Sequence, residues 1–250
     1  MAKHVIRPVP LTRNIGVSTY KMTHLVGYGS PHNRGSYVWY IEGPKQKILV
    51  DAGSQVSAGG SGSGAGSIMF PEGRMEPIQT LEQGLAKFGL KPEDIDIIIF
   101  THLHEDHVQL AHKYPRARLI VQKAELDFAR NPHPIQQFTY KPEMLEGLEF
   151  ETIEGDKQIV EGVSVMVTPG HSACGESIVV DTVKGKAVIA GLCSVRTNFE
   201  PPAELKVPVI PCGILIDPIK CYDSLLKIKK VADIIVPLHD AENLEVDRIP

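Results

Sequence analysis

Thr101-His102-Leu103-His104-Glu105-Asp106-His107 is the stretch from which the rest of this chain can be read. It follows the apolar run Ile95-Asp96-Ile97-Ile98-Ile99-Phe100, whose β-branched residues predict a buried strand. Three histidines and two carboxylates therefore arrive together where a strand runs out. Imidazole nitrogens and carboxylate oxygens are ligands for borderline metals such as zinc. Alternate side chains of an extended segment share a side, so His102 and His104 can grip one ion. Asp106 and His107 follow after a turn and can face a second.

Three further candidates stand at strand ends. Residues 163–168 run into Pro169-Gly170-His171, residues 187–192 run into Cys193, and residues 233–236 run into Pro237-Leu238-His239-Asp240. A lone histidine is more often structural than a ligand. Recurrence at the ends of apolar strands is what brings His171, Cys193 and His239 to one rim of the sheets. For Cys193 the alternative is an ordinary buried thiol.

Elsewhere, residues 36–42 and 47–53 predict a hairpin around the turn at 43–45. Ile78, Leu81, Leu85 and Phe88 have helical spacing across residues 77–88, and Gly89 stops that helix. Residues 118–121 read as a strand, 123–130 as a helix, 177–181 and 187–192 as a second hairpin, and 218–231 as a helix. The order predicts an α+β chain in two halves, with sheets packed inside and helices outside. Residues 57–67 are a Gly/Ser tract with the composition of a flexible linker, either a mobile lid beside the site or a plain connection. The reading is of one domain over residues 1–250.

The 250 residues carry a net charge of -4, with 42% hydrophobic and 22% charged residues. That composition belongs to a soluble globular protein and leaves no electrostatic footprint for nucleic acid or an anionic membrane. The N-terminus has no apolar signal-peptide core, and no apolar run reaches the ~18 residues of a membrane span. Cys174, Cys193, Cys212 and Cys221 form no CxxC pair and read as reduced thiols of a cytoplasmic protein.

The HxHxDH arrangement at His102, His104, Asp106 and His107 resembles the metallo-β-lactamase superfamily. Val50-Asp51-Ala52-Gly53-Ser54, Pro169-Gly170-His171-Ser172 and Leu238-His239-Asp240 support it in order and spacing. The best match within the superfamily is the N-acyl homoserine lactonase group. The resemblance implies an αββα four-layer sandwich with a dinuclear metal site, two zinc ions, at one edge. It also implies a small-molecule substrate, and it hints at a homodimer. Carried over position by position, His102, His104 and His171 would hold the first metal, and Asp106, His107 and His239 the second. Asp106 would also pass a proton to the leaving group.

Two departures qualify that picture. Lactonases carry a bridging aspartate at the strand end where this chain has Cys193. A thiolate keeps the charge, but its bond to zinc is ~2.3 Å against ~2.0–2.2 Å for oxygen, and one sulfur suits a single ion better than a bridge. Lactonases also carry a tyrosine where this chain has Arg196. A guanidinium can clamp a carboxylate through two hydrogen bonds, so Arg196 points to an acidic substrate. The expected function is a zinc-dependent hydrolase that opens a lactone or a related cyclic ester or amide. The alternatives are a thioesterase of the glyoxalase II kind and a metal-binding member without turnover.

Overall fold

The computed structural model describes residues 3–55 and 74–250. Its strands, in chain order, are β1 (Val5–Ser18), β2 (Pro31–Glu42), β3 (Ile48–Val50), β4 (Arg74–Pro77), β5 (Ile97–Ile99), β6 (Arg118–Gln122), β7 (Phe150–Ile153), β8 (Lys157–Val160), β9 (Val163–Val167), β10 (Glu176–Thr182), β11 (Gly185–Ala190) and β12 (Ile234–Pro237). One sheet has the order β4-β1-β2-β3-β5-β6-β7 and the other β12-β11-β10-β9-β8. The Gly/Ser tract at 57–67 lies outside the described residues.

Side-chain alternation along single strands builds the layers. In β2, Tyr37, Trp39 and Ile41 enter the core between the sheets, while Val38 and Tyr40 enter a second core on the sheet's outer face. In β5, Ile97 and Ile99 face inward and Ile98 outward. A strand buried on both faces reads as a continuous apolar run, which is why residues 97–99 are three isoleucines. The outer core of the first sheet is closed by helices Leu81–Ala86 and Lys123–Arg130, through Leu81, Leu85, Leu126 and Ala129. Val179, Val188 and Ala190 on the outer face of the second sheet meet Cys221, Leu225 and Ile228 of helix Pro218–Val231. The result is the α+β sandwich of helix, sheet, sheet and helix expected from the sequence.

Two local readings change. The helix expected over 77–88 is confined to Leu81–Ala86, because Thr80 caps it in a box with Gln83. Ile78 stays outside, its N–H donating to the Leu11 carbonyl at 2.9 Å. The 14-residue strand β1, which the sequence did not announce, pairs along β2 and places Val9 and Leu11 in the outer core.

A buried carboxyl makes stability depend on pH. Glu176 opens β10 with no exposed surface, and its Oε1 has no hydrogen-bond partner. Burial pushes its carboxyl up to about 8, with the Gln122 amide opposing and the Asp51 and Glu125 charges adding. Between an ordinary 4.5 and about 8, the folded chain holds a proton that the unfolded chain releases. Stability therefore falls as pH rises through that window. Glu176→Gln keeps an acceptor for Gln122 and removes the titration. Urea unfolding across the window is expected to show the variant gaining on the parent as pH rises. Parallel stability curves would refute this.

Candidate metal centre

β3 and β5 are parallel neighbours in the first sheet, and β11 and β12 in the second, so their C-terminal ends open on shared edges. Asp51 follows β3, His102 and His104 follow β5, Cys193 follows β11 and His239 follows β12. His171 follows β9, and its loop is fixed by Gly170. That glycine has φ +123°, and a Cβ there would lie 2.2 Å from the backbone nitrogen of Cys221. The 102–104 segment is extended up to His104, the N-cap of helix Glu105–Val108. The turn into that helix re-aims Asp106 and His107.

The side chains gather into two sets of donor atoms. His102, His104 and His171 form one; Asp106, His107 and His239 form the other; within each, the donor atoms all lie within 4.8 Å of one another. In the first, His102 Nε2 is 3.1 Å from His171 Nε2. In the second, Asp106 Oδ1 is 3.5 Å from His107 Nε2 and Oδ2 is 3.8 Å from His239 Nε2.

Acceptors behind the rings fix their tautomers. Nδ1–H of His171 donates to the Ile214 carbonyl at 2.6 Å, that of His239 to the Gly35 carbonyl at 2.9 Å, and that of His107 to Asp51 Oδ2 at 2.7 Å. The Thr101 hydroxyl donates to the Asp51 carboxylate and so accepts from His102 Nδ1 at 2.9 Å. With Nδ1 protonated in these four rings, the Nε2 of each neutral ring turns a lone pair inward. Two such lone pairs meet 3.1 Å apart between His102 and His171. The buried Nε2 atoms of His104 and His107 have no hydrogen-bond partner at all. Lone pairs brought together without protons fit a shared cation, and nitrogen with carboxylate oxygen fits zinc.

The electrostatics agree. Burial holds His102, His104 and His239 well below the usual imidazole range; neighbouring histidines and, at His239, Arg34 add to it, while the Asp106 carboxylate opposes it at His104 and His239. His171 is lowered to about 4, chiefly by burial. These rings are neutral at physiological pH, the form that binds a metal. His107 differs: burial lowers it, but the Asp106 and Asp51 carboxylates outweigh that and raise it. Burial works against ionisation of Asp106, yet His107, His239 and Arg34 hold its carboxyl far below the usual range.

Two further buried carboxylates, which the sequence reading did not count among the site residues, hold the loops. Asp51, φ +62°, accepts from Thr101 N at 2.7 Å as well as from His107, so it binds the β3 end to both donor sets. Glu125, on the inner face of helix Lys123–Arg130, accepts from Leu103 N at 3.1 Å, Cys174 N at 2.9 Å and the Tyr140 hydroxyl at 2.8 Å. It thereby ties the loop after β5 to the loop after β9. Its one sequence signal is a charged residue on the face of a helix that also buries Leu126 and Ala129.

Cys193 and Arg196 sit differently from expectation. Cys193 is buried at the rim but joins neither donor set; its Sγ accepts from Arg34 Nη1 at 3.8 Å. Burial pushes the thiol up to about 11, with Arg34 opposing. The Arg196 guanidinium does not stand ready to clamp a substrate. It is held by Glu242 at 2.8 Å and Glu200 at 3.4 Å, because its backbone N–H is fixed by Asp240 at the start of helix Arg196–Phe199. The arginine inside the site is Arg34, whose Nη2 is 3.6 Å from Asp106 Oδ2.

Sheets stacked between helices, with two histidine-rich donor sets at the strand ends, define a metal-binding αββα protein. The chain belongs to the metallo-beta-lactamase superfamily, whose pattern matches residues 33–239. Among its relatives, the N-acyl homoserine lactonase of Bacillus thuringiensis is 31% identical over 224 residues, covering 85% of this chain and 84% of that protein. The Bacillus cereus N-acyl homoserine lactonase is 32% identical over 178 residues, 69% of each chain. In three dimensions the chain is similar to a mutant of the B. thuringiensis lactonase AiiA with N-decanoyl-L-homoserine bound at its active site. That match has a TM-score of 0.77 and 27% identity, covering 98% of this chain and 96% of the other. No helix among the described residues is long and apolar enough to cross a membrane.

Proposed function

We infer that the protein is a zinc-dependent hydrolase that opens the ring of a lactone, with N-acyl homoserine lactones as the first class to test. The observation that carries this is the pair of inward-facing donor sets, four of whose five histidines, His102, His107, His171 and His239, hold a proton against an acceptor on the far side of the ring. His102, His104 and His171 would hold one zinc ion, and Asp106, His107 and His239 the other, with Cys193 beside the second. Bound there, the ions would supply a Lewis acid for the substrate carbonyl and an activated nucleophile at neutral pH. The chain's own part is positioning. Asp51 and Glu125 hold the loops, and the acceptors on Nδ1 keep the rings turned inward. Asp106 is the side chain assigned to take a proton from the attacking water and pass it to the leaving ring oxygen. Its carboxylate is ionised and its side chain is 31% exposed, so a substrate can reach it. The four free cysteines suit a reducing compartment and support a cytoplasmic location.

The test is metal analysis of protein purified without chelator, alongside hydrolysis of a panel of acyl homoserine lactones, cyclic amides and thioesters. About two zinc ions per chain are expected, with lactone turnover that dipicolinate abolishes and added zinc restores. Turnover confined to thioesters would move the assignment to the thioesterases. Bound metal with no hydrolysis of any panel member would sink the enzymatic reading.

A further inference from the structure

Arg34 is fixed by its backbone before its side chain makes a contact. It pairs with Asn14 across β1 and β2, and on the other side with Asp240 through an isolated bridge. The next residue, Gly35, donates to the His239 carbonyl at 3.0 Å and accepts from the His239 ring. Arg34 thus rides on the same piece of backbone that orients one of the second set's histidines. Its side chain is 6% exposed and runs into the site. One guanidinium nitrogen, Nη2, is 3.6 Å from Asp106 Oδ2; the other, Nη1, is 3.8 Å from Cys193 Sγ.

The carboxylate oxygen facing Arg34 is also the one facing His239. A guanidinium stays charged at every working pH. A fixed positive charge therefore stands against the one anionic donor in the two sets and draws on lone pairs that a cation would use. The set of His102, His104 and His171 contains no carboxylate for the guanidinium to face, although the Arg34 charge also reaches His171. A second cation entering between Asp106, His107 and His239 meets like-charge repulsion at a few ångströms, where a water-poor site screens it weakly.

We propose that Arg34 is a positioning residue that makes the two metal positions unequal, weakening the ion at Asp106, His107 and His239 so that the two ions bind in sequence. By engaging Asp106 and Cys193 together, it also keeps the Cys193 sulfur turned towards itself. The inference rests on the two-metal reading of the site.

The experiment titrates full-length apo protein with cobalt(II), followed by d–d and sulfur-to-cobalt absorption, for the parent, Arg34→Gln and Arg34→Lys. The parent should show a tight and a weak step. In Arg34→Gln the weak step should tighten about tenfold or more, the tight step moving far less, with sulfur-to-cobalt absorption gained. Arg34→Lys, which keeps the charge, should restore the gap between the steps, as a purely steric role would not. Circular dichroism of each apo protein checks folding, and Arg34→Met, which keeps the apolar stem, substitutes if the glutamine variant does not fold. A weak step that is unchanged or looser without the charge overturns the role of Arg34 while leaving the two-metal reading intact. A parent that binds no metal, or only one ion, overturns that reading and this inference with it.

Discussion

His171→Ala is expected to lower kcat/KM for lactone hydrolysis by at least ~10³-fold and to reduce bound metal by about one ion per chain. His171 contributes a lone pair whose direction is set from behind by the Ile214 carbonyl and whose loop is set by Gly170. Alanine removes the donor and leaves His102 and His104 to hold a cation between them. Two imidazoles give an open and weak site where three give a closed face. The fold should survive, because His171 lies at the rim and belongs to none of the apolar cores. Metal content by plasma mass spectrometry and kinetics on the same preparation provide the check. Near-parental turnover with full metal content would remove His171 from the site.

The second large effect is expected from a residue that is in neither donor set. Asp51 accepts from Thr101 N, Thr101 Oγ1 and His107 Nδ1 with no exposed surface. Asp51→Asn keeps the shape, and asparagine tolerates the positive φ. Its amide nitrogen, however, presents hydrogens to groups that are themselves donors. Leaving buried donors unmatched costs about 1–3 kcal/mol each, so urea unfolding should register the loss. The more telling readout is metal affinity. Asp51 reaches His107 directly and His102 through the Thr101 hydroxyl, so both donor sets should weaken, by about 10–100-fold. If only one set weakens, or neither, Asp51 is merely a turn residue.

The donors at His102, His104, Asp106 and His107 could be read from the chain because they are close in sequence and follow an unmistakable strand. His171 and His239 could be read because each repeats the same context, an apolar strand running into a short polar turn. β1 was not legible, for a physical reason. Pro8 and Pro10 lack N–H groups and argue against a central strand. β1 pairs with β4 only over Thr12–Ile15, so the prolines sit where one side of the strand needs no donor. Arg196 was expected to clamp a substrate because chain order showed it near Cys193 and concealed its carboxylate partners, Glu200 and Glu242. Arg34 reaches Cys193 across 159 positions of sequence, and no local pattern announces such a meeting. Glu125 was concealed in the same way, since its partners Leu103, Tyr140 and Cys174 come from three separate loops.

That dispersal has a consequence for the lifetime of the protein. The groups that would hold the ions are delivered by loops after β5, β9 and β12 and are backed by residues from β2 and the end of β3. The unfolded chain has no comparable site. A metal that binds only the folded form draws the folding equilibrium towards it by mass action. Zinc supply would then govern how much of the chain stays folded and escapes proteolysis, as well as how fast each folded copy turns over. A cell short of zinc would lose the protein itself along with its activity.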